Sequence, residues 1–95
     1  MAVERVSDIL RAVDREGYGV ISFAAFNLES IHWVLEVAEE EETPVLLMEY
    51  PTYNAMMPFS TFAAVVKDLA GKAHIPVGIM LDHGPSFETA LNAVA

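Results

Sequence analysis

The stretch that decides the fold is IPVGIML at Ile75–Leu81, and DHG at Asp82–Gly84 follows it directly. A short apolar run of this kind is typical of a strand that is buried on both faces of a parallel sheet. In α/β folds, reactive side chains gather where such strands reach their carboxyl ends. Asp82 and His83 therefore place a proton-transfer group beside a good metal ligand at a position where α/β proteins carry their chemistry.

The rest of the chain repeats the arrangement of a strand followed by a helix. Ser7, Asn27 and Ser60 are expected to cap helices, and Gly17 is expected to stop the first one. The predicted elements are a helix over 7–16, a strand over 19–24, a helix over 28–42, a strand over 45–48, a loop over 50–58, a helix over 61–73, a strand over 77–81 and a last helix that opens at 85–86. Alternating strands and helices predict an α/β fold with a parallel sheet and right-handed crossovers. That sheet is either a small open one or the first part of a (β/α)8 barrel, which needs about 250 residues.

The composition limits the class of protein. Hydrophobic residues are 54% of the 95-residue chain, which argues against disorder and is high for one small domain, so apolar faces are expected to pack against something else. A net charge of −9 with only five Lys and Arg argues against nucleic-acid binding. The sequence has no cysteine, no signal peptide and no apolar run long enough to span a bilayer. These features fit a cytoplasmic protein without a membrane segment.

Four short motifs carry a resemblance to a known family. They are FAAFN at Phe23–Asn27, VLL at Val45–Leu47, LDHG at Leu81–Gly84 and SFE at Ser86–Glu88. In this order and spacing, the chain resembles the N-terminal portion of the class II, zinc-dependent fructose-bisphosphate/tagatose-bisphosphate aldolases. Several motifs that agree in register are more specific than LDHG alone.

The resemblance implies a partial (β/α)8 TIM barrel, in which residues 1–95 are one partial domain made of an N-terminal helix and the first three βα units. It implies reversible aldol cleavage of fructose or tagatose bisphosphate to dihydroxyacetone phosphate and an aldehyde phosphate. Asp82 matches the family's acid/base carboxylate, His83 matches one Zn²⁺ ligand, and Asn27 matches a polar residue of the substrate site. The other zinc ligands and the phosphate-binding loops are expected beyond residue 95, so the chain alone is expected to be inactive. A homo-oligomer that takes part in glycolysis is also implied.

The sequence departs from the family pattern at two positions. Tyr50 stands where family members often have a serine after the second strand, and Pro85 replaces a small hydroxyl residue after LDHG. His32 and His74 do not fall at the carboxyl end of a strand, so they are interpreted as structural. The run Glu39–Glu42 is interpreted as a solvated helix end.

Two other interpretations stay open. In the first, the chain is a non-catalytic interaction module that retains LDHG as a relic. In the second, it is part of another barrel lyase that uses Asp82 without a metal. In each case an incomplete barrel leaves an apolar strand edge without a partner, and such edges pair with other chains. We therefore predict that the isolated chain self-associates.

Overall fold

The structure is a computed structural model that describes residues 3–53 and 55–94. Its elements are α1 (Val6–Glu16), β1 (Ile21–Ala24), α2 (Leu28–Glu40), β2 (Val45–Glu49), a 3₁₀ turn (Pro51–Tyr53), α3 (Phe59–Gly71), β3 (Val77–Leu81) and α4 (Phe87–Val94). The three strands form one parallel sheet in the order β1-β2-β3. The predicted α/β fold of alternating helices and parallel strands is confirmed. Residue 54 of the predicted 50–58 loop lies outside the described residues.

Several predicted boundaries are wrong by one or two residues. β1 begins at Ile21 rather than at residue 19, β2 ends at Glu49 rather than at residue 48, α3 ends at Gly71 rather than at residue 73, and α4 begins at Phe87 rather than at 85–86. The first helix begins at Val6 rather than Ser7, with Arg5 in the N-cap position. The third begins at Phe59, directly after the extended Pro58, so Ser60 lies inside the helix and does not cap it. The second ends at Glu40 because Glu42 has a positive φ of 52°, which helical residues do not adopt. Gly17 ends α1 as predicted, with a left-handed φ of 79° that suits glycine.

One face of the sheet carries the main core. Side chains alternate along β2, so Val45 and Leu47 share a face, and both are buried in the cluster that includes residues of α2 and α3. Ile31 and Leu35 come from α2, and Phe62 comes from α3. The helices that follow the strands therefore cover this face, as in other parallel sheets.

The opposite face is closed by α1 at the position of Gly78. A Cβ atom on Gly78 would lie 2.8 Å from Leu46 Cδ2, 3.1 Å from Val6 Cγ2 and 3.2 Å from Ile9 Cδ1. The absence of a side chain at Gly78 thus lets α1 pack directly on β2 and β3. This packing lies toward the amino ends of the strands and leaves their carboxyl ends uncovered by α1.

The two edges of the sheet differ. The segment before α1 covers part of β3, since Val3 bridges Val77 and the Glu4 N–H donates to the Val77 carbonyl at 2.9 Å. Within residues 3–53 and 55–94, no strand pairs with the outer edge of β1, where Ile21 is 64% exposed. In the same part of the chain, no helix is long and apolar enough to cross a membrane.

Candidate active site

The segments that follow the three strands meet at the carboxyl edge of the sheet, because all the strands are parallel. Phe26 follows β1, Tyr50 and Tyr53 follow β2, and His83 follows β3. The ring centroids are 5.4 Å apart for Phe26 and Tyr53, 6.1 Å for Tyr53 and Tyr50, and 5.7 Å for Tyr50 and His83. These four residues, here called the aromatic row, connect the ends of all three strands.

The structure brings Asp82 and His83 together at this edge. The Asp82 N–H donates to the Glu49 carbonyl at 3.0 Å, which extends the pairing of β2 and β3 by one residue. Asp82 Oδ1 lies 3.5 Å from His83 Nε2, an ion pair when the imidazole is protonated. The Asp82 side chain is 22% exposed and the His83 side chain is 78% exposed. One group is thus half-buried, and its neighbour is open to a ligand.

The backbone of His83 is unusual. Its φ is 51°, in the left-handed region that non-glycine residues rarely adopt. The chain therefore turns sharply at the residue after Asp82, and the turn brings the imidazole back beside the carboxylate and onto the ring of Tyr50.

Asn27 caps α2, as predicted. Its Oδ1 accepts a hydrogen bond from the Ser30 N–H at 2.8 Å, and Ser30 Oγ accepts from the Asn27 N–H at 3.1 Å. Ser30 Oγ also accepts from the Phe26 N–H at 3.1 Å. This reciprocal capping box fixes the turn between β1 and α2, and with it the position of Phe26 in the aromatic row.

Sequence reasoning missed Glu49, the last residue of β2. Its side chain is 1% exposed, and neither carboxylate oxygen has a hydrogen-bond partner among the described residues. It lines a cavity of about 320 Å³ whose walls include Phe62, Ile79 and Leu81. Burial raises the pKa of the Glu49 carboxyl from 4.5 to about 7. Side chains alternate along a strand, so a second strand predicted to end at residue 49 instead of 48 would have placed Glu49 on the same core face as Val45 and Leu47.

The other histidines lie away from this edge. His32 Nε2 lies 3.3 Å from Glu36 Oε2 on the exposed surface of α2. His74 precedes β3, and its N–H donates to Glu39 Oε1 at 2.7 Å, so the side chain of Glu39 has a structural contact that the sequence interpretation did not include. Across residues 3–53 and 55–94, no three His, Asp or Glu side chains converge as a metal site.

The fold and the edge define an α/β protein with an acid–imidazole pair at the carboxyl end of a parallel strand. The family model for class-II fructose-bisphosphate aldolase matches residues 4–95. The chain therefore belongs to the class-II fructose-bisphosphate aldolase family.

Members of this family resemble the chain in sequence and in structure. A probable fructose-bisphosphate aldolase of Bacillus subtilis is 37% identical over 97 residues, which cover 99% of this chain and 34% of the relative. A fructose-bisphosphate aldolase of Thermus caldophilus is 38% identical, with 92% of this chain and 28% of the relative covered. The crystal structure of the YdjI aldolase from Escherichia coli K12 matches with a TM-score of 0.85 and 26% identity over 97% of this chain and 36% of that chain. The chain thus spans about a third of the length of these proteins and corresponds to an N-terminal portion.

Proposed function

We propose that this chain is the N-terminal part of a zinc-dependent ketose-bisphosphate aldolase, and that its three βα units belong to a (β/α)8 barrel. Residues 1–95 are one partial domain of that barrel. The observation that supports this most strongly is the pair of Asp82 and His83, 3.5 Å apart at the carboxyl end of β3 in a chain of the aldolase family.

Asp82 is the acid/base in this proposal. Aldol cleavage breaks the bond between the ketone half of the sugar and a carbon that carries a hydroxyl group. A carboxylate oxygen of Asp82 removes the hydroxyl proton as that carbon becomes an aldehyde, and it returns the proton in the condensation direction. Its partial burial suits this task, since the carboxylate stays accessible to substrate while its backbone is fixed by the hydrogen bond to β2.

His83 is the zinc ligand in this proposal. Its imidazole is open to the carboxyl edge, and neutral imidazole is a preferred ligand of zinc. Zinc, when bound, polarises the ketone oxygen of the substrate as a Lewis acid. Because a zinc site needs three or four ligands, the remaining ones come from parts of the enzyme outside these 95 residues.

The substrate contacts follow from the same edge. Asn27 lies at the end of β1, and because its Oδ1 caps α2, its amide NH₂ group is proposed to face the phosphorylated ketose.

The five cationic residues are Arg5, Arg11, Arg15, Lys67 and Lys72. Arg5 precedes α1, Arg11 and Arg15 lie within it, Lys67 lies in the second half of α3 and Lys72 follows the end of α3, so all five lie toward the amino edge of the sheet. The groups that bind the phosphates are therefore proposed to lie on other parts of the enzyme. Separately, the enzyme is proposed to be a cytoplasmic homo-oligomer that takes part in glycolysis.

Complementation tests this function. The chain is mixed with a polypeptide that supplies the later strands of the barrel, and cleavage of fructose 1,6-bisphosphate is assayed. We expect activity that is lost with Asp82→Asn and retained with Asp68→Asn, since Asp68 forms an exposed ion pair with Lys72 on α3. Activity that survives a chelator would favour the metal-free lyase.

A non-catalytic interaction module is the second candidate, because the groove between β1 and α2 is apolar and open. It has a volume of about 420 Å³, and Trp33 and Val37 on its wall are 62% and 56% exposed. Assembly of the mixed polypeptides without any turnover would support this candidate against the enzyme.

A further inference from the structure

We propose that Tyr50 is a positioning residue whose ring holds the His83 imidazole beside Asp82. The proposal rests on the proposed function, in which His83 is a zinc ligand, and it adds Tyr50, for which no role was predicted from the sequence. The rings of Tyr50 and His83 have centroids 5.7 Å apart and planes inclined by 54°. This tilted arrangement is one that aromatic pairs favour.

His83 needs such support for two reasons. Its side chain is 78% exposed, so little of the protein limits its rotation. Its φ of 51° is also a conformation that persists in non-glycine residues only when the surroundings favour it. The contact with Asp82 is too long to fix the ring alone, since 3.5 Å exceeds the usual length of a hydrogen bond.

Tyr50 is well held for this task. Pro51 follows it and begins the 3₁₀ turn, in which the Tyr53 N–H donates to the Tyr50 carbonyl at 2.9 Å. The Tyr53 ring meets the Tyr50 ring edge to face, with planes inclined by 82°. Phe26 packs against Tyr53 in turn, at a position that the capping box of α2 fixes. The aromatic row thus connects His83 to the ends of β1 and β2.

The contact depends on an aromatic ring at position 50. A serine there has no ring to reach His83, whereas a phenylalanine retains the ring and loses only the hydroxyl. Tyr18 offers a matched control, since it is 44% exposed, against 39% for Tyr50, and lies before β1 at the amino edge of the sheet.

Nuclear magnetic resonance of the full chain without metal tests the proposal, with Ile21→Lys present in every sample, the one otherwise wild-type included, so that association through the exposed edge of β1 does not broaden the signals. The Hα–Hβ coupling constants of His83 report whether its side chain keeps one rotamer, and a nuclear Overhauser effect between the His83 ring and the Asp82 Hβ protons reports their proximity. We expect a single rotamer and a clear Overhauser effect in the wild-type chain, in Tyr50→Phe and in Tyr18→Ser. We expect averaged couplings and loss of the Overhauser effect in Tyr50→Ser and in Tyr50→Leu, which keeps apolar bulk if the serine variant does not fold.

Unchanged couplings and an unchanged Overhauser effect in the folded Tyr50→Ser or Tyr50→Leu variant would overturn the proposal. Zinc binding by the complemented enzyme separates this outcome from failure of the proposed function, because one imidazole in the chain alone binds zinc only weakly. If His83→Ala abolishes zinc binding by the complemented enzyme but Tyr50→Ser leaves the rotamer fixed in the chain, the zinc role is supported and the positioning role is wrong. If Tyr50→Ser averages the rotamer but the complemented enzyme with His83→Ala binds zinc as tightly as the wild type, the positioning role holds and the zinc role is contradicted.

Discussion

The Glu49 carboxyl combines burial with the lack of a described hydrogen-bond partner, so its protonation affects the stability of the fold. Its pKa is raised from 4.5 to about 7, and the folded chain therefore binds this proton more tightly than the unfolded chain. The stabilisation is fully present below pH 4.5 and is lost as the pH rises through about 7. The free energy of unfolding should therefore fall by about 2–3 kcal/mol as the pH rises from about 5 to about 8.

Urea unfolding at several pH values measures this effect. Glu49→Gln should lack this loss of stability and should be more stable than the wild-type chain at alkaline pH. Glu40→Gln, at an exposed position of α2, is the control that keeps the wild-type profile. Equal pH dependence in the wild-type chain and in Glu49→Gln would show that this carboxyl is solvated.

Zinc binding by the chain alone should be weak, because one imidazole is a single ligand and a stable site needs three or four. Calorimetric titration with Zn²⁺ is expected to give a dissociation constant weaker than about 1 μM. Submicromolar affinity that disappears in His83→Ala would contradict the expectation and would mean that nearby groups complete a site.

The residues of the candidate site differ in how far the sequence could predict them. Asp82 and His83 follow an unmistakable apolar strand, so their place at the carboxyl edge could be predicted, and Asn27 fits the capping pattern. Their roles toward substrate and zinc remain predictions. Glu49 was missed because a charged residue normally marks the end of a strand, and its burial depends on α3 and α4, which the local sequence does not show.

At the scale of secondary structure elements, the packing of α1 on the sheet depends on Gly78. Gly78→Ala puts a methyl group 2.8 Å from Leu46 Cδ2, so Leu46 or α1 must shift. We expect the free energy of unfolding to fall by about 1 kcal/mol in a denaturant titration, at the low end for overpacking, because the atoms that must move are the ends of side chains.

Gly71→Ala provides the matched control, because a Cβ at that position meets no atom within 4 Å. Gly71 lies in the last turn of α3, and alanine there should raise stability by about 0.4–1 kcal/mol through the unfolded state. If the Gly78→Ala chain is as stable as the Gly71→Ala chain, the close approach of α1 to the sheet at Gly78 is contradicted.

The elements themselves were predictable where apolar runs and caps agree. The bounds of β3 match the prediction, since Pro76 and Asp82 frame five apolar or small residues. Helix ends were less predictable. α3 begins directly after Pro58, two residues before the start that a cap at Ser60 predicts. The positive φ of Glu42 ends α2 within a run of four glutamates that looks uniform in sequence.

At the scale of the whole molecule, the outer edge of β1 and the adjoining groove remain exposed in the described part of the chain. Ile21 and Phe23 lie on this strand, and Trp33 lies on the neighbouring wall of the groove. Exposed apolar strand edges invite pairing with a second chain. Analytical ultracentrifugation should therefore show association at tens of micromolar, a range in which such species commonly associate.

Ile21→Lys should reduce this association, because a charged lysine on an edge strand opposes edge-to-edge pairing. Leu91→Lys is the control, since Leu91 is exposed on α4, which follows β3 at the other side of the sheet. A wild-type chain that sediments as a clean monomer in this range would remove the prediction.

The carboxylate of Asp82 is proposed to exchange the substrate proton in the assembled aldolase. The most direct test is the rate of fructose 1,6-bisphosphate cleavage by the complemented enzyme carrying Asp82→Asn, which keeps the size of the side chain and removes its basicity. We predict a fall in kcat of about 10²–10⁴-fold with assembly unchanged. An Asp82→Asn enzyme with wild-type kcat would contradict the claim.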